Sequence, residues 1–433
     1  MAENVDGEKG HIVFVETRYA NFGTLRYALD AGYSVSYVGS HRYSSSYDGE
    51  EFRELQTRFS HLIWVDNTAR REDVRSALAA LAGDKQIDAV ICFFEIAIDA
   101  CATAADDLGI PFTNAIAVSI CRDKLQCRAF LRDCGLVNIQ WHELSDKSEI
   151  RQAIEKIGLP VIVKPRRGAV SKFIEIIQNE EDVIAFLAQD FSPAEGDAGI
   201  DEEVLSNGFL AEQYLSGKLY SVEILSNGRD TRCITVCEKI AWQESSFVEL
   251  GAIIPASLNP EKRREIVDYS IACVSAVNLG RGIFHVEVID TGEGIVLIEI
   301  NPRIIGGNGR KMIISSYDFN LDKAIIDSYL GNDIDPFPEN AVRTTVGHHI
   351  APAVAGLAAK RTQAFPQLEE YVDLHIKLQE GSPVQPYRSN YDSQGWFITS
   401  HSQRSIALTR NRQGLDKIGA HFEIDLIVGT PVE

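Results

Sequence analysis

The chain has 433 residues, 45% of them hydrophobic and 24% charged, and carries a formal net charge of −20. This length and composition fit a globular protein of two or three domains rather than a disordered or fibrous chain. The acid excess argues against nucleic-acid and anionic-membrane partners, and no apolar run approaches the roughly 20 residues that span a bilayer.

The first segment, MAENVDGEKGH, is polar and acidic and does not read as a secretory signal. HIVFVET (11–17) then reads as a buried strand, and Asn21-Phe22-Gly23 leads into the helical pattern TLRYALDAGY. SVSYVGS (34–40), HLIWVD (61–66) and DAVICFF (88–94) are further strands, with the helix REDVRSALAALAG and an Ala-rich helix reaching Leu108-Gly109. Strands alternating with helices imply a parallel, doubly wound α/β unit, here ending near 114–119. Its first strand-to-helix turn, ETRYANFGTLR, lacks G-x-G-x-x-G, so no dinucleotide site is expected there.

SICRDKLQCRAFLRDCGL (119–136) reads as one amphipathic helix closed by Gly135. LPVIVKPRRGAVSKFIEII (159–177), NGFLAEQYLSGKLYSVEILSNG (207–228) and TRCITVCEK (231–239) are strands joined by turns, with the helix EDVIAFLAQ between the first two. A small α+β module fits this order. SPAEGDAGIDEEVLSNG (192–208) reads as a mobile acidic connection. NPEKRREIVDYSIACVSAVNLG (259–280) is a helix, and RGIFHVEVIDTGEGIVLIEINPR (281–303) is two strands around the turn Asp-Thr-Gly-Glu-Gly. Beyond about 340 the segments YVDLHIKL, GWFITS, RSIALTR and FEIDLIV read as strands. The eight cysteines include no C-x-x-C pair and several lie in apolar runs, which reads as buried reduced thiols in a cytoplasmic protein.

Chemistry concentrates in the hairpin. Alternate strand residues share a face, so Glu299 and Asn301 point one way, as do His285 and Glu287 on the other strand. A short turn between them lets Glu287 and Glu299 lie across neighbouring strands. Two carboxylates and an amide oxygen suit a hard divalent cation, Mg²⁺ above all. Periodicity alone equally allows both acids on a solvent face. The following loop holds Gly306, Gly307 and Gly309, whose backbone can approach an anion, with Arg303 and Arg310 available to a carboxylate or phosphoryl group. VIVKPRRGAVSKF places Lys164, Arg166, Arg167 and Lys172 around a small-residue turn that suits phosphates, although a basic surface turn is the commoner meaning of such a stretch. Lys124 in CRDKLQ is by itself an exposed helix lysine, and AEQYLSG by itself a plain hairpin.

The succession VIVKP, AEQYLSG, YSVE, FHVEV and IEINPR resembles the ATP-grasp superfamily. The resemblance implies an α/β architecture: a pre-grasp parallel α/β domain over 1–118, a grasp body over 119–350 with a lid subdomain at about 160–225, and a strand-rich C-terminal extension over 351–433. It implies ATP and two Mg²⁺ ions. Lys124 and Lys164 look like the phosphate-contacting lysines, the 165–172 turn with Arg167 and Lys172 like the lid's phosphate loop, and Glu212, Gln213, Tyr214 and Leu215 like the hinge that holds adenine. Glu287, Glu299 and Asn301 match the metal ligands, and Arg303 matches the arginine that stabilises the phosphoryl group; Arg310 and His285 are further candidates at the reacting end. The lid turn carries less glycine than is usual, and the customary ribose-binding acid is replaced by Leu219, so Glu223 on the same strand face is the substitute. The combination of EINPR, the glycine loop and the extension looks most like stand-alone L-amino-acid ligases of the bacilysin and dapdiamide type. The implied reaction joins a small carboxylate to an amine through an acyl phosphate, releasing ADP and phosphate, in a cytoplasmic homodimer. Glu238, Lys239 and Glu249 within 236–256 are candidates for the acceptor side. Purine- or siderophore-pathway ligases on the same scaffold, and a non-catalytic nucleotide-binding regulator, are the alternatives.

Overall fold

In a computed structural model, the protein is described over residues 9–46, 49–168, 172–191, 198–242, 245–359, 365–388 and 390–431. The N-terminal unit runs β1 (Lys9–Val15), α1 (Phe22–Asp30), β2 (Tyr33–Ser40), α2 (Glu50–Gln56), β3 (His61–Val65), α3 (Arg71–Asp84), β4 (Ala89–Cys92) and α4 (Ile98–Asp107). Its four strands pair in parallel in the order β3-β2-β1-β4. The run IVFV is apolar throughout because both sheet faces are covered. Val13 and Val15 pack with α3 and α4, while Ile12 and Phe14 pack on the other face with α1 residues Phe22 and Leu25.

The segment 119–136 is not one helix. α5 (Ala115–Arg122) and α6 (Lys124–Asp133) are separated at Asp123, which leaves helical geometry and accepts from the N–H groups of Leu125 and Gln126. A short acid that caps the next helix stabilises a break more than a continuous turn.

A smaller unit follows, with β5 (Trp141–Leu144), α7 (Ile150–Ile157), β6 (Val161–Pro165), β7 (Glu175–Ile177), α8 (Glu180–Ala188), α9 (Ala198–Leu205) and β8 (Phe209–Gln213). It stands where the lid was expected but spans 141–213 rather than about 160–225, because β5 pairs with β8 and the strand after residue 217 joins the large sheet. Its antiparallel sheet has the order β5-β8-β6-β7. The segment 192–208, expected to be a connection, contains helix α9, and 192–197 lie outside the described residues.

The body is one large antiparallel sheet. Its members are β9 (Lys218–Asn227), β10 (Thr231–Trp242), β11 (Ser245–Ile254), β12 (Arg281–Asp290), β13 (Ile295–Asn301) and β14 (Thr344–His349), backed by α10 (Pro260–Val277) and by α11 (Gly309–Ser316) and α12 (Leu321–Leu330). After them come a two-stranded ribbon, β15 (Gly356–Leu357) with β17 (Pro383–Val384), then β16 (Asp373–Ile376), β18 (Gly395–His401) and α13 (Arg404–Phe422). The path is β13-β12-β9-β10-β11-β14-β18-β16. The boundary expected at 350/351 therefore falls inside a continuous sheet, since β18 and β16 extend it beyond β14.

RSIALTR is helical, not a strand. Across α13 the buried residues are Ala407, Asn411, Gly414, Leu415, Ile418, Gly419 and Phe422, a helical period that the seven residues of RSIALTR are too few to display. FEIDLIV contributes only an isolated bridge from Leu426 to Pro352. Among the described residues, no helix is long and apolar enough to cross a membrane.

Candidate functional site

The lid, the glycine loop and the large sheet enclose a cavity of about 1070 Å³. That is at the upper end of small-molecule sites, with room for more than one ligand. Its walls include Lys124, Lys164, Lys172, Glu212 to Gly217, Leu219, His285, Glu287, Glu299, Arg303 and Gly306 to Gly309, together with Lys239, Glu249 and Glu95.

Strand register sets the centre. Glu287 lies directly opposite Glu299, and His285 opposite Asn301. On the other side of β12, His285 faces Glu223 of β9. Cross-strand neighbours have their Cβ atoms only about 5 Å apart, so the two acids form one cluster, and each is balanced by a cation. Glu287 Oε1 meets His285 Nε2 at 2.9 Å and Lys239 Nζ at 3.2 Å. Glu299 Oε2 meets Lys124 Nζ at 2.9 Å, while its Oε1 accepts from Asn301 Nδ2 at 2.8 Å. Burial would raise the Glu287 pKa, but Lys239 and His285 outweigh it and hold the carboxyl below its ordinary value. For His285 burial works downward, and Glu223 and Glu287 raise the imidazole to about 9.

No three acidic, histidine or cysteine side chains among the described residues converge as a preformed metal cage. Mg²⁺ does not need one. It takes one or two carboxylates and completes its shell with water and substrate phosphates. Two opposed carboxylates on a cavity wall lined with cations fit that chemistry. Asn301 is buried and bonded to Glu299 without lining the cavity, so its place is behind the acids.

The hinge residues Glu212 to Leu215 all line the cavity. Glu212 is buried and accepts from Arg128 Nε at 2.8 Å and from Lys164 Nζ at 2.6 Å. Burial pushes its carboxyl up, but these two cations hold it at about 2. Arg128 also donates to the Ile298 carbonyl at 2.6 Å, tying α6 to β13. Lys172 lines the cavity and bonds Asp201 of α9 at 2.9 Å. Residues 169–171 of the expected phosphate turn lie outside the described residues.

Several expectations fail on geometry. Glu223 is fully buried and absent from the cavity wall; it bonds His285 Nδ1 at 2.5 Å and the Ile305 N–H at 3.0 Å, so it props the site from behind and leaves no carboxylate for a ribose. Leu219, at the customary ribose position, does line the cavity. Arg310 is turned away and paired with Asp322, which also accepts from Thr24 at 2.7 Å. Gly23 is the residue over which that guanidinium passes, so Arg310 joins α1 to α12. Arg167 pairs with Asp99 of α4 at 2.7 Å and does not reach the wall. On the acceptor side Lys239 and Glu249 line the cavity, paired at 2.9 Å, whereas Glu238 faces away and binds Arg404.

Sequence reading missed Glu95, Arg122 and Arg128. Glu95 follows the last parallel strand and bridges Arg122 Nη1 and Arg303 Nη2, each at 2.5 Å. Burial opposes its ionisation, but the Arg303 and Arg122 guanidiniums prevail and hold it at about 2. An acid just past a strand's carboxyl end, where open α/β sheets place their sites, was the available signal. For Arg128 the signal was its place four residues after Lys124, hence on the same helix face.

Residues 121–307 match the family model described as the ATP-grasp domain. Mouse carnosine synthase 1 is 23% identical over 273 residues, which are 60% of this chain; the chain spans only 33% of that relative's length. The crystal structure of an L-amino acid ligase from Bacillus licheniformis covers 98% of this chain and 100% of its own, with a TM-score of 0.74 and 20% identity. The biotin carboxylase domain of the Hydrogenobacter thermophilus 2-oxoglutarate carboxylase, solved with MgADP and bicarbonate, covers 96% of this chain and 91% of its own, with a TM-score of 0.67 and 16% identity. At these identities the structural likeness establishes the fold.

Proposed function

With an ATP-grasp domain over residues 121–307 on an ATP-grasp fold, we propose that the protein is an ATP-dependent, ADP-forming ligase that joins a carboxylate to an amine. The observation that carries this reading is the opposed pair Glu287 and Glu299 in a cavity that also holds Lys124, Lys164 and Arg303. A regulator has no use for so complete a set of phosphoryl-transfer groups. The carboxylate substrate is an amino acid or its derivative and the nucleophile an amino-acid amine, so the product is a dipeptide or a precursor of a peptide antibiotic. The likeness to an L-amino acid ligase supports this finer reading.

The chemistry follows from the groups present. A carboxylate is a poor electrophile, and transfer of the γ-phosphoryl group gives it a good leaving group. Attack by the amine then forms the amide and releases phosphate. Lys124 and Lys164 hold phosphate oxygens, and the segment Glu212 to Leu215 holds the base. Arg303, oriented by Glu95, faces the carboxylate and the incoming phosphoryl group, where a guanidinium's paired donors match both. Mg²⁺, held by Glu287 and Glu299 when bound, supplies a hard positive charge against the β- and γ-phosphates. Closure of the lid keeps water from the acyl phosphate.

The test is ADP and phosphate release with Mg²⁺-ATP across pairs of the twenty amino acids, small dicarboxylic acids and their amides. Release that requires two partners, with a condensed product by mass, supports the ligase. Glu287→Gln should remove that turnover. A variant with undiminished turnover, or a wild type that cleaves ATP without a carboxylate, overturns the reading.

A further inference from the structure

The two opposed acids are not equivalent. Both recorded partners of Glu287 fall on one oxygen, Oε1, where His285 and Lys239 converge. Oε2 of this cavity-lining carboxylate carries neither contact. Glu299 is closed on both sides, with Asn301 on Oε1 at 2.8 Å and Lys124 on Oε2 at 2.9 Å. A cation that bridged the pair would therefore meet one carboxylate ready and one already neutralised by a lysine.

Lys124 is built to leave. It is the first residue of α6, directly after the capping Asp123. Its backbone N–H is held by the Arg166 carbonyl at 3.0 Å, which anchors the main chain beside the lid turn. Its ammonium reaches that turn as well, since a Cβ placed on Gly168 would lie 3.4 Å from Nζ. The lysine thus stands between Glu299 and the turn whose sequence suits phosphates. Lys239 has no such second role. It is buried and shared between Glu249 and Glu287.

Resting on the ligase reading above, we propose that Lys124 is a removable counter-ion on the metal site. In the nucleotide-free protein its ammonium occupies Glu299, and the site offers a divalent cation only Glu287. An arriving polyphosphate draws the ammonium away, Glu299 opens, and the cation then gains its second carboxylate. Metal and nucleotide bind cooperatively because each removes the other's competitor, a linkage that must be reciprocal. Lys124 therefore sets metal affinity before any chemistry occurs.

The experiment is a Mn²⁺ titration of the full chain without nucleotide, read by the loss of free Mn²⁺ signal in electron paramagnetic resonance. Lys124→Met and Lys124→Gln are compared with wild type, each first checked for an unchanged melting transition. Removing the competing ammonium should tighten Mn²⁺ binding by about tenfold, as expected when a partly buried charge loses its partner and seeks another. Adding Glu299→Gln to Lys124→Met should cancel the gain. Wild-type affinity in both single variants, or a gain that survives Glu299→Gln, overturns the proposal. A wild type that binds Mg²⁺-ATP in calorimetry while the variants show no gain leaves the ligase reading standing and removes only the role given to Lys124. Failure of the wild type to bind Mg²⁺-ATP removes both.

Discussion

Glu16, just past β1, has a wholly buried side chain and a left-handed backbone with φ of 48°. Thr68 donates to its Oε1 at 2.9 Å, but burial dominates and raises the carboxyl from 4.5 to about 7. The folded state thus holds a proton that the unfolded chain has already released. Stability should fall as pH rises from 4.5 to 7 and stay reduced above that, a loss of about 3 kcal/mol for a group so shifted. Glu16→Gln should restore about that amount at pH 8 and almost nothing at pH 4, as measured by urea denaturation at the two pH values. Arg128 is the converse case, a buried cation with partners on two elements. Arg128→Met should cost about 3 kcal/mol in the same measurement, because Glu212 then depends on Lys164 alone.

Among the elements, the junction of α5 and α6 governs the most. Asp123 caps α6 and also accepts from Arg166 Nη2 at 2.6 Å, so one carboxylate fixes both Lys124 and the start of the lid turn. Asp123→Ala should lower stability by about 1 kcal/mol as a lost cap. With the ligase function proposed above, it should also raise the KM for ATP more than it lowers kcat, because Lys124 and the 165–168 turn lose their anchor while Arg303 keeps its Glu95 partner. Steady-state kinetics with varied ATP separates the two. The hairpin of β12 and β13 is the opposite kind of element: pairing from its turn would set Glu287 against Ile298, and a bulge between Glu287 and Val288 shifts the register by one so that Glu287 meets Glu299.

At the scale of the whole molecule the N-terminal unit reaches the cavity through Glu95. Its carboxylate reaches from the end of the parallel sheet to Arg303 in the body and Arg122 on α5. Glu95→Gln keeps the size and some hydrogen bonding but loses the charge that aims two guanidiniums. Turnover should fall about 100-fold, the scale of a reacting group misplaced by an ångström, and the melting temperature should drop as well, because two buried guanidiniums lose their shared counter-charge. ADP release and thermal unfolding, measured together, check both parts. The β5–β8 unit is linked to the same N-terminal unit by Arg42–Glu202 and Arg167–Asp99, each at 2.7 Å, so the N-terminal unit holds both Arg303 and one edge of the cavity's cover.

What the sequence determined by itself was everything set by local period and short pairing. Alternating strands and helices gave the parallel unit, a capped helical pattern gave α10, and a turn signal gave the hairpin, whereas the bulge that sets Glu287 against Glu299 was not readable. The order of Lys164, the hinge, Glu287 and Glu299 followed the chain and was readable for that reason. Tertiary structure alone decided which charges meet. Arg310 and Arg303 lie seven residues apart with equal claims by sequence, yet one is spent on Asp322 and the other faces the cavity, because α1 and α12 happen to pass beside the first. Glu223 and Glu287 both sit on the polar face of adjacent strands, and only the close of Ile305 over the first makes it a prop and leaves the second on the cavity wall. Period 2 fixes the face of a strand on which a side chain stands; what covers that face is set by segments tens to hundreds of residues away.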